Sequence, residues 1–198
     1  MYDKKIASVS NLTNKMEHSC RDRVELSVGD ATVIPRSYDN VTALFSCFAL
    51  QQMNQPSSVL NSWYESMAAG GILVVCYWPA IVENGGPWRR LIDLSNLKGS
   101  QVEGWEKHLL DQVVESGAEI LTDTLIPHTM SWTDAEEFWQ VMTESGPWHV
   151  RRLKFGDAEM ESLKAAFLSG FGHKKKEPLV HRPFARLLVL RKSLRSSL

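Results

Sequence analysis

Asp30 follows an alternating apolar run, "RVELSV", and precedes the small residue Ala31. The period of two in this run, which covers residues 23–28, predicts a strand. A carboxylate at the carboxyl end of a strand in an α/β sheet can accept a hydrogen bond from an exocyclic amine, such as that of adenine. The alternative is a turn aspartate that stabilises its own backbone.

A stretch of small side chains interrupted by one aromatic follows the next apolar run, Asn40–Phe45. That run is nearly continuous, which is typical of a strand buried on both faces. Ser46, Cys47 and Ala49 are small enough to let the backbone open towards a ligand, and the ring of Phe48 could pack on a flat group. The alternative is a strand-to-helix connector whose aromatic residue belongs to the core.

Seven tryptophans are many for a chain of this length, and several are expected to line a pocket or an interface. Trp78, Trp88 and Trp132 are candidate walls of a substrate pocket, where they could hold an apolar group or a cation. Core packing is the alternative for each of them. His128, just past a predicted strand, is the candidate general base, with an ordinary loop histidine as the alternative. No histidine or cysteine spacing suggests a metal site.

Strands and helices alternate along the chain, and this alternation predicts an α/β fold with a parallel sheet. A helix is expected from Pro56, with a buried strand directly after it over 72–78. A later helix is expected to start at Thr133 with a capping box, and another at Asp157. The other predicted elements are a short strand over 4–10, a helix over 12–20, a helix over 105–116, a strand over 119–127 and a last strand over 183–192.

Bulk properties indicate an ordinary globular protein of 198 residues in one domain. A net charge of −1 argues against a partner with strong negative charge, such as nucleic acid. The three cysteines show no C-x-x-C spacing, and no signal peptide or membrane span is evident in the sequence. We therefore expect a cytoplasmic protein with reduced cysteines, a small-molecule substrate and no membrane span.

Three segments occur in order: "VGDATVIP" (28–35), "YDNVTALFSCFAL" (38–50) and "AAGGILVVCYW" (68–78). Together they resemble class I S-adenosylmethionine-dependent methyltransferases, in particular the UbiE-like branch that acts on small molecules. The resemblance implies a Rossmann-like, mostly parallel sheet with flanking helices. It also implies a helical cap over 128–182, inserted before the last strand of a single domain that covers 1–198.

The same resemblance implies S-adenosylmethionine as the cofactor. The residues that would bind it are Asn11, Leu12, Asp30, Ala31, Ser46, Cys47 and Phe48. Asp30 and Ala31 would hold the adenine, and Ser46 to Phe48 would border the methionine moiety and its methyl group. Asn11 falls where the family has an acidic residue, and an amide lacks the charge-assisted grip of a carboxylate on the ribose hydroxyls.

The family's first strand and its G-x-G-x-G turn have no counterpart in the sequence. Family strand order is 3-2-1-4-5-7-6, so we expect a sheet truncated at its N-terminal side, without the central strand. A fragment or shortened isoform is the favoured explanation. The alternatives are direct pairing of strands two and four, or a strand donated by a partner chain, which includes a homo-oligomer.

Methyl transfer to a small-molecule acceptor is therefore the expected function. A non-catalytic binding or regulatory module derived from a methyltransferase is the first alternative, because the glycine-rich turn is missing. A nicotinamide-dependent oxidoreductase shares the α/β pattern, but no Tyr-x-x-x-Lys pair follows a strand here.

Overall fold

The computed structural model describes residues 24–38, 40–95, 104–144 and 146–194. The strands in this part of the chain are β1 (Val41–Cys47), β2 (Met67–Tyr77), β3 (Glu119–Pro127), β4 (Met130–Trp132), β5 (Leu179–His181) and β6 (Phe184–Arg191). The α-helices in the same ranges are α1 (Pro56–Glu65), α2 (Pro87–Leu94), α3 (Asp111–Glu115), α4 (Ala135–Thr143), α5 (Gly146–Phe155) and α6 (Asp157–Ser169).

The main sheet has the strand order β1-β2-β6-β3. β1 and β2 are parallel, whereas β6 is antiparallel to both of its neighbours, β2 and β3. Three of these four strands therefore run in one direction, in a Rossmann-like α/β arrangement that confirms the expected fold class. The order also matches the 4-5-7-6 order that the resemblance implies for the last strands. β4 and β5 form a separate antiparallel pair.

Four strand ends meet at one side of the main sheet, which we call the carboxyl edge. β1 ends at Cys47, whose register partner is Cys76, one residue before the end of β2. At the other side of β6, Pro127 at the end of β3 pairs with Phe184 at the start of β6. Side chains that follow β1, β2 and β3 are consequently brought to the same edge, where ligands bind in sheets of this type.

Two buried clusters of apolar side chains hold these elements together. β2 alternates, so that Leu73, Val75 and Tyr77 face one side of the sheet and are buried against α1 and α3. The buried members of this first cluster are Leu50, Val59, Leu60, Trp63, Tyr64, Met67, Leu73, Val75, Tyr77, Leu109, Val113, Leu188 and Leu190. The second cluster joins α2, α4, α5 and α6 through Leu91, Ala135, Phe138, Trp139, Trp148, Met160, Leu163 and Phe167.

Two strand predictions were wrong in their details. The run that forms β1 was expected to be buried on both faces, yet the side chain of Phe45 is 69% exposed. The reason is the face on which it lies: Phe45 pairs with Val74, so its side chain projects from the face opposite to that of the buried Leu73 and Val75. Residues 24–28 were expected to form a strand but have no regular structure, and Val24 and Val28 are about half exposed. Alternation alone cannot make a strand, since its backbone groups also need a hydrogen-bonding neighbour.

The capping of α4 also differs from the prediction. Asp134 is the N-cap, and its Oδ1 accepts hydrogen bonds from the backbone N–H groups of Glu136 and Glu137, each at 2.9 Å. Thr133, the expected cap, donates its hydroxyl to the carboxylate of Glu137 at 2.9 Å. The predicted helix over 105–116 is likewise confined to α3, Asp111–Glu115, with turns before it.

Among the described helices, none combines the length and the apolar character needed to cross a membrane.

Candidate active site

Phe48, directly after β1, has a left-handed backbone with φ of 53°, which is unfavourable for a residue with a side chain. Three hydrogen bonds hold it there. Its N–H donates to the carbonyl of Cys76 at 2.7 Å, and its carbonyl accepts from the side-chain amides of Gln51 at 2.8 Å and Gln52 at 2.9 Å. Strain that is maintained in this way is common at functional sites. No pattern in the sequence predicted this role for the two glutamines.

Five residues at or just after the ends of β1 and β2 form a group that we call the rim: Ser46, Cys47, Phe48, Cys76 and Trp78. The ring of Phe48 stacks on that of Trp78, with centroids 4.3 Å apart and planes inclined by 23°. Ser46 is 8% exposed, and its Oγ has no hydrogen-bond partner among the described residues. A buried hydroxyl without a partner is unusual and is suited to receive a polar group of a ligand.

The turn at Asp30 and Ala31 is exposed, and its contact with the rest of the fold is made through α1 and not through β2. Oδ1 of Asp30 accepts hydrogen bonds from the N–H of Thr32 at 2.9 Å and from its hydroxyl at 2.7 Å, as in an ordinary aspartate turn. The carbonyl of Ala31 accepts from Nε1 of Trp63 at 2.8 Å. These contacts attach the turn to α1, while the contacts of Phe48 attach the rim to β2. Asn11 and Leu12 lie outside the described residues.

A second group of aromatic side chains comes from two helices, α2 and α4, and from the strand pair β4–β5, and we call it the aromatic cluster: Trp88, Trp132, Phe138 and His181. The ring of Trp88 is stacked with that of His181 at 6.2 Å, and Phe138 meets His181 edge-on at 5.5 Å. Trp132 meets Phe138 edge-on at 5.5 Å. Trp88 and Trp132 are thus brought into one group, whereas Trp78 belongs to the rim.

Glu83 and His181 form a buried pair within this cluster that sequence reasoning missed. Oε2 of Glu83 lies 3.7 Å from Nε2 of His181, and the two residues are 6% and 2% exposed. The same carboxylate accepts the backbone N–H of Trp88 at 3.0 Å and that of Arg182 at 2.9 Å. Neither ring nitrogen of His181 makes a hydrogen bond with the described residues. Glu83 therefore joins the loop after β2 to the start of α2 and to the β5–β6 connection.

One sequence signal could have drawn attention to Glu83. It precedes Pro87, which is a favoured first residue of a helix, and a carboxylate near a helix N-terminus is stabilising. No local signal marks His181, because its partner lies almost a hundred residues earlier in the chain.

His181 is expected to make the protein less stable in acid. Burial lowers the pKa of His181 below its ordinary 6.5, and the charge of Glu83 opposes this effect only in part. As the pH falls, His181 is therefore protonated in the unfolded chain before it is protonated in the folded protein. The free energy of unfolding is full above pH 6.5 and decreases as the pH falls from there towards the lower pKa of the folded state. Urea unfolding at about pH 7.5 and about pH 5 should show a larger loss for the wild type than for His181→Gln. The exposed His173→Gln is the control and should behave like the wild type.

His128, the predicted base, lies in the turn between β3 and β4, at the carboxyl edge. Its side chain is exposed, and its backbone N–H donates to the carbonyl of Pro183 at 2.9 Å. Its position at this edge agrees with the sequence-based expectation, and its role in chemistry stays a prediction.

Arg186 on β6 organises charges beside the loop that follows β2. Its guanidinium binds both carboxylate oxygens of Asp123, at 2.7 and 2.8 Å, and Oε1 of Glu106 at 3.1 Å. Oε2 of Glu106 in turn accepts the backbone N–H of Ala80 at 2.8 Å. Burial raises the pKa of Tyr77 well above its ordinary value, so this phenol stays neutral.

Replacing Arg186 with alanine is expected to lower the free energy of unfolding by about 1–3 kcal/mol, because two partly buried carboxylates lose their partner. Arg191→Ala on the same strand is the control. Its pair with Glu119 is about half exposed, so its loss should cost less than about 1 kcal/mol. Equal losses in urea unfolding would show that the network does not stabilise the fold.

No group of three or more His, Cys, Asp or Glu side chains is arranged to hold a metal ion within the described ranges.

Of three comparisons with known proteins, only the one with solved structures found matches, and it concerns the fold. No protein-family model matches the sequence, and neither does any curated protein. Among solved structures, the YcgJ protein from Bacillus subtilis is 12% identical with a TM-score of 0.53, and the match covers 93% of this chain and 76% of that one. A candidate methyltransferase from Bacillus halodurans is 13% identical with a TM-score of 0.51, and the match covers 83% and 70%.

The [4+2]-cyclase SpnF is 18% identical with a TM-score of 0.50, and the match covers 94% of this chain but only 61% of the cyclase. Such identities show the fold alone, and a fold can host more than one reaction. The strand order, the carboxyl edge and these likenesses together show that the chain has a Rossmann-like α/β fold of the kind found in the candidate methyltransferase.

Proposed function

We propose that the chain binds S-adenosylmethionine at the carboxyl edge and transfers its methyl group to a small-molecule acceptor. The observation that carries this proposal is the rim, where Phe48 is held in a left-handed conformation two residues after Ser46, whose buried hydroxyl has no hydrogen-bond partner among the described residues. Both features stand at the end of a strand in a Rossmann-like sheet, which is where such folds bind nucleotides. The UbiE-like branch stays a prediction from sequence.

The cofactor residues proposed from the resemblance fit the rim in two respects. Ser46 offers a hydroxyl that has no partner among the described residues, and a polar group of the methionine moiety would satisfy it. The thiol of Cys47 is small and exposed, so it leaves room above β1. Asp30 and Ala31 would hold the adenine, with Asn11 and Leu12 proposed for the ribose. The bound cofactor would supply an electrophilic methyl group on a sulfonium.

The chain's own contribution is to position the acceptor and to exclude water. Trp78 on the rim and Trp88 and Trp132 in the aromatic cluster are proposed to line the acceptor pocket. The loop over 78–86, between β2 and α2, links the two groups. The segment over 128–182, which contains β4, α4, α5, α6 and β5, is proposed as the cap over that pocket. His128 would accept a proton from an acceptor that is a weak nucleophile.

Transfer of a labelled methyl group tests the proposal directly. The chain is incubated with methyl-labelled S-adenosylmethionine and an extract of small molecules, and we expect label to appear in a small-molecule product. His128→Gln should reduce the turnover by about 100-fold or more for an acceptor that must lose a proton, with unchanged cofactor affinity. Label that never leaves the cofactor would contradict methyl transfer.

A non-catalytic binding module is the second candidate. Two observations favour it: the carboxylate of Asp30 is already engaged by Thr32, and the ring of Phe48 is covered on one side by Trp78. Binding of S-adenosylhomocysteine without any transfer of label would support this module over the enzyme.

A further inference from the structure

Two cysteines of the rim lie side by side on neighbouring strands. Cys47 on β1 and Cys76 on β2 are register partners in the parallel ladder, so their side chains project from the same face of the sheet. Both are free thiols. We propose that Cys47 and Cys76 are a redox-active thiol pair that closes to a reversible disulfide when it meets a low-molecular-weight disulfide such as oxidised glutathione.

The spacing of the two strands permits this bond. Neighbouring strands lie about 4.8 Å apart, within the range of roughly 4.4–6.8 Å that Cα atoms span across a disulfide. A backbone hydrogen bond next to the cysteines holds β1 and β2 in this register, since the N–H of Phe48 donates to the carbonyl of Cys76 at 2.7 Å. Closure therefore needs rotation of two short side chains and no new strand pairing.

Exposure determines which thiol reacts first. Cys47 is exposed and Cys76 is half-buried. Burial raises the pKa of the Cys76 thiol, and the neighbouring Cys47 raises it further, so Cys76 is the less ready nucleophile. Cys47 is consequently the residue that meets the small disulfide, and Cys76 resolves the product.

The exchange proceeds in two balanced steps. The thiolate of Cys47 attacks one sulfur of the small disulfide, a Cys47 mixed disulfide forms, and one small thiolate leaves. The thiolate of Cys76 then attacks the sulfur of Cys47, the protein disulfide forms, and the second small thiolate leaves. Two electrons pass from the cysteines to the small disulfide, and the two cysteine protons end on the released thiols.

The consequence is a covalent link at the site of the strained Phe48. Cys47 precedes Phe48 directly, and Cys76 lies two residues before its stacking partner Trp78. A bond between the cysteines would fix both strand ends and remove the free thiols from the rim. The inference does not depend on methyl transfer, because the bond can be measured without any cofactor.

Intact-mass analysis and peptide mapping of the full chain after reaction with oxidised glutathione test the pair. We expect loss of two hydrogen atoms, a link between the peptides that contain Cys47 and Cys76, and reversal by dithiothreitol. The same reaction in denaturant allows any two of the three cysteines to pair. The native protein should favour Cys47–Cys76 over the other pairings by about tenfold relative to the denatured chain, because the two groups are prepositioned.

Single variants supply the controls. Cys20→Ser should leave the product unchanged, and Cys76→Ser should stop at a glutathione adduct on Cys47. A stable glutathione adduct in the wild type, a dimer linked through Cys47, or native pairings in the proportions of the denatured chain would overturn the proposal. Should Cys76→Ser fail to fold, as judged by circular dichroism, the wild type and Cys20→Ser still decide between these outcomes.

Discussion

Glu83→Ala is expected to lower the free energy of unfolding by about 3–5 kcal/mol, because the carboxylate accepts two backbone N–H groups in a buried site. These N–H groups belong to Trp88 and Arg182, and each would be left without its acceptor. The loop after β2, the start of α2 and the β5–β6 connection would lose their common contact. Urea unfolding followed by circular dichroism gives the measurement.

Two further variants make that result specific. Glu83→Gln keeps the shape and one acceptor oxygen but loses the charge, so its cost should lie between those of the wild type and Glu83→Ala. Glu161→Ala on the exposed face of α6 is the control and should change stability by less than about 0.5 kcal/mol. If Glu83→Ala behaves like this control, Glu83 does not join the three segments in solution.

Trp63→Ala is expected to cost about 3–5 kcal/mol, since it removes a large side chain that is 3% exposed in the first apolar cluster. Part of that cost comes from its Nε1 hydrogen bond to the carbonyl of Ala31, 2.8 Å long. Trp63→Phe keeps most of the packing and loses that bond, so its cost should be distinctly smaller. The measurement is urea unfolding followed by circular dichroism.

Equal costs for the two Trp63 variants would mean that the tie to Ala31 matters more than the packing of the ring. Such a result would mean that attachment of the Asp30 turn to α1 contributes to the stability of the fold. Val141→Ala on α4 is a matched control, because its side chain is 50% exposed.

Local pattern predicted much of the architecture. The apolar spacing after Pro56, the buried run before Trp78 and the final strand all correspond to elements of the fold. These features depend on neighbours in sequence, which periodicity describes well. Periodicity cannot choose between neighbouring capping residues: Thr133 was predicted as the N-cap of α4, but the adjacent Asp134 caps equally well and is the N-cap in the structure.

The features that sequence could not predict depend on distant partners. Phe45 is exposed because it lies on the face of the sheet opposite to the buried Leu73 and Val75, although its own run is as apolar as that of a buried strand. Glu83 meets His181 across almost a hundred residues, and no local signal marks His181 as its partner. The left-handed conformation of Phe48 likewise depends on a hydrogen bond to the distant Cys76, together with two bonds from the nearby Gln51 and Gln52.

Titration of S-adenosylhomocysteine into the full chain by calorimetry tests the proposed cofactor site most directly. The wild type should bind, and Ser46→Ala should bind about tenfold more weakly, because a hydrogen bond to the ligand is lost. The same variant should fold with undiminished stability, since the Oγ of Ser46 has no partner among the described residues. Ser169→Ala, at the exposed end of α6, is the control for affinity. Absence of binding by the wild type, or equal affinities for the wild type and Ser46→Ala, would contradict the proposal that the rim binds the cofactor.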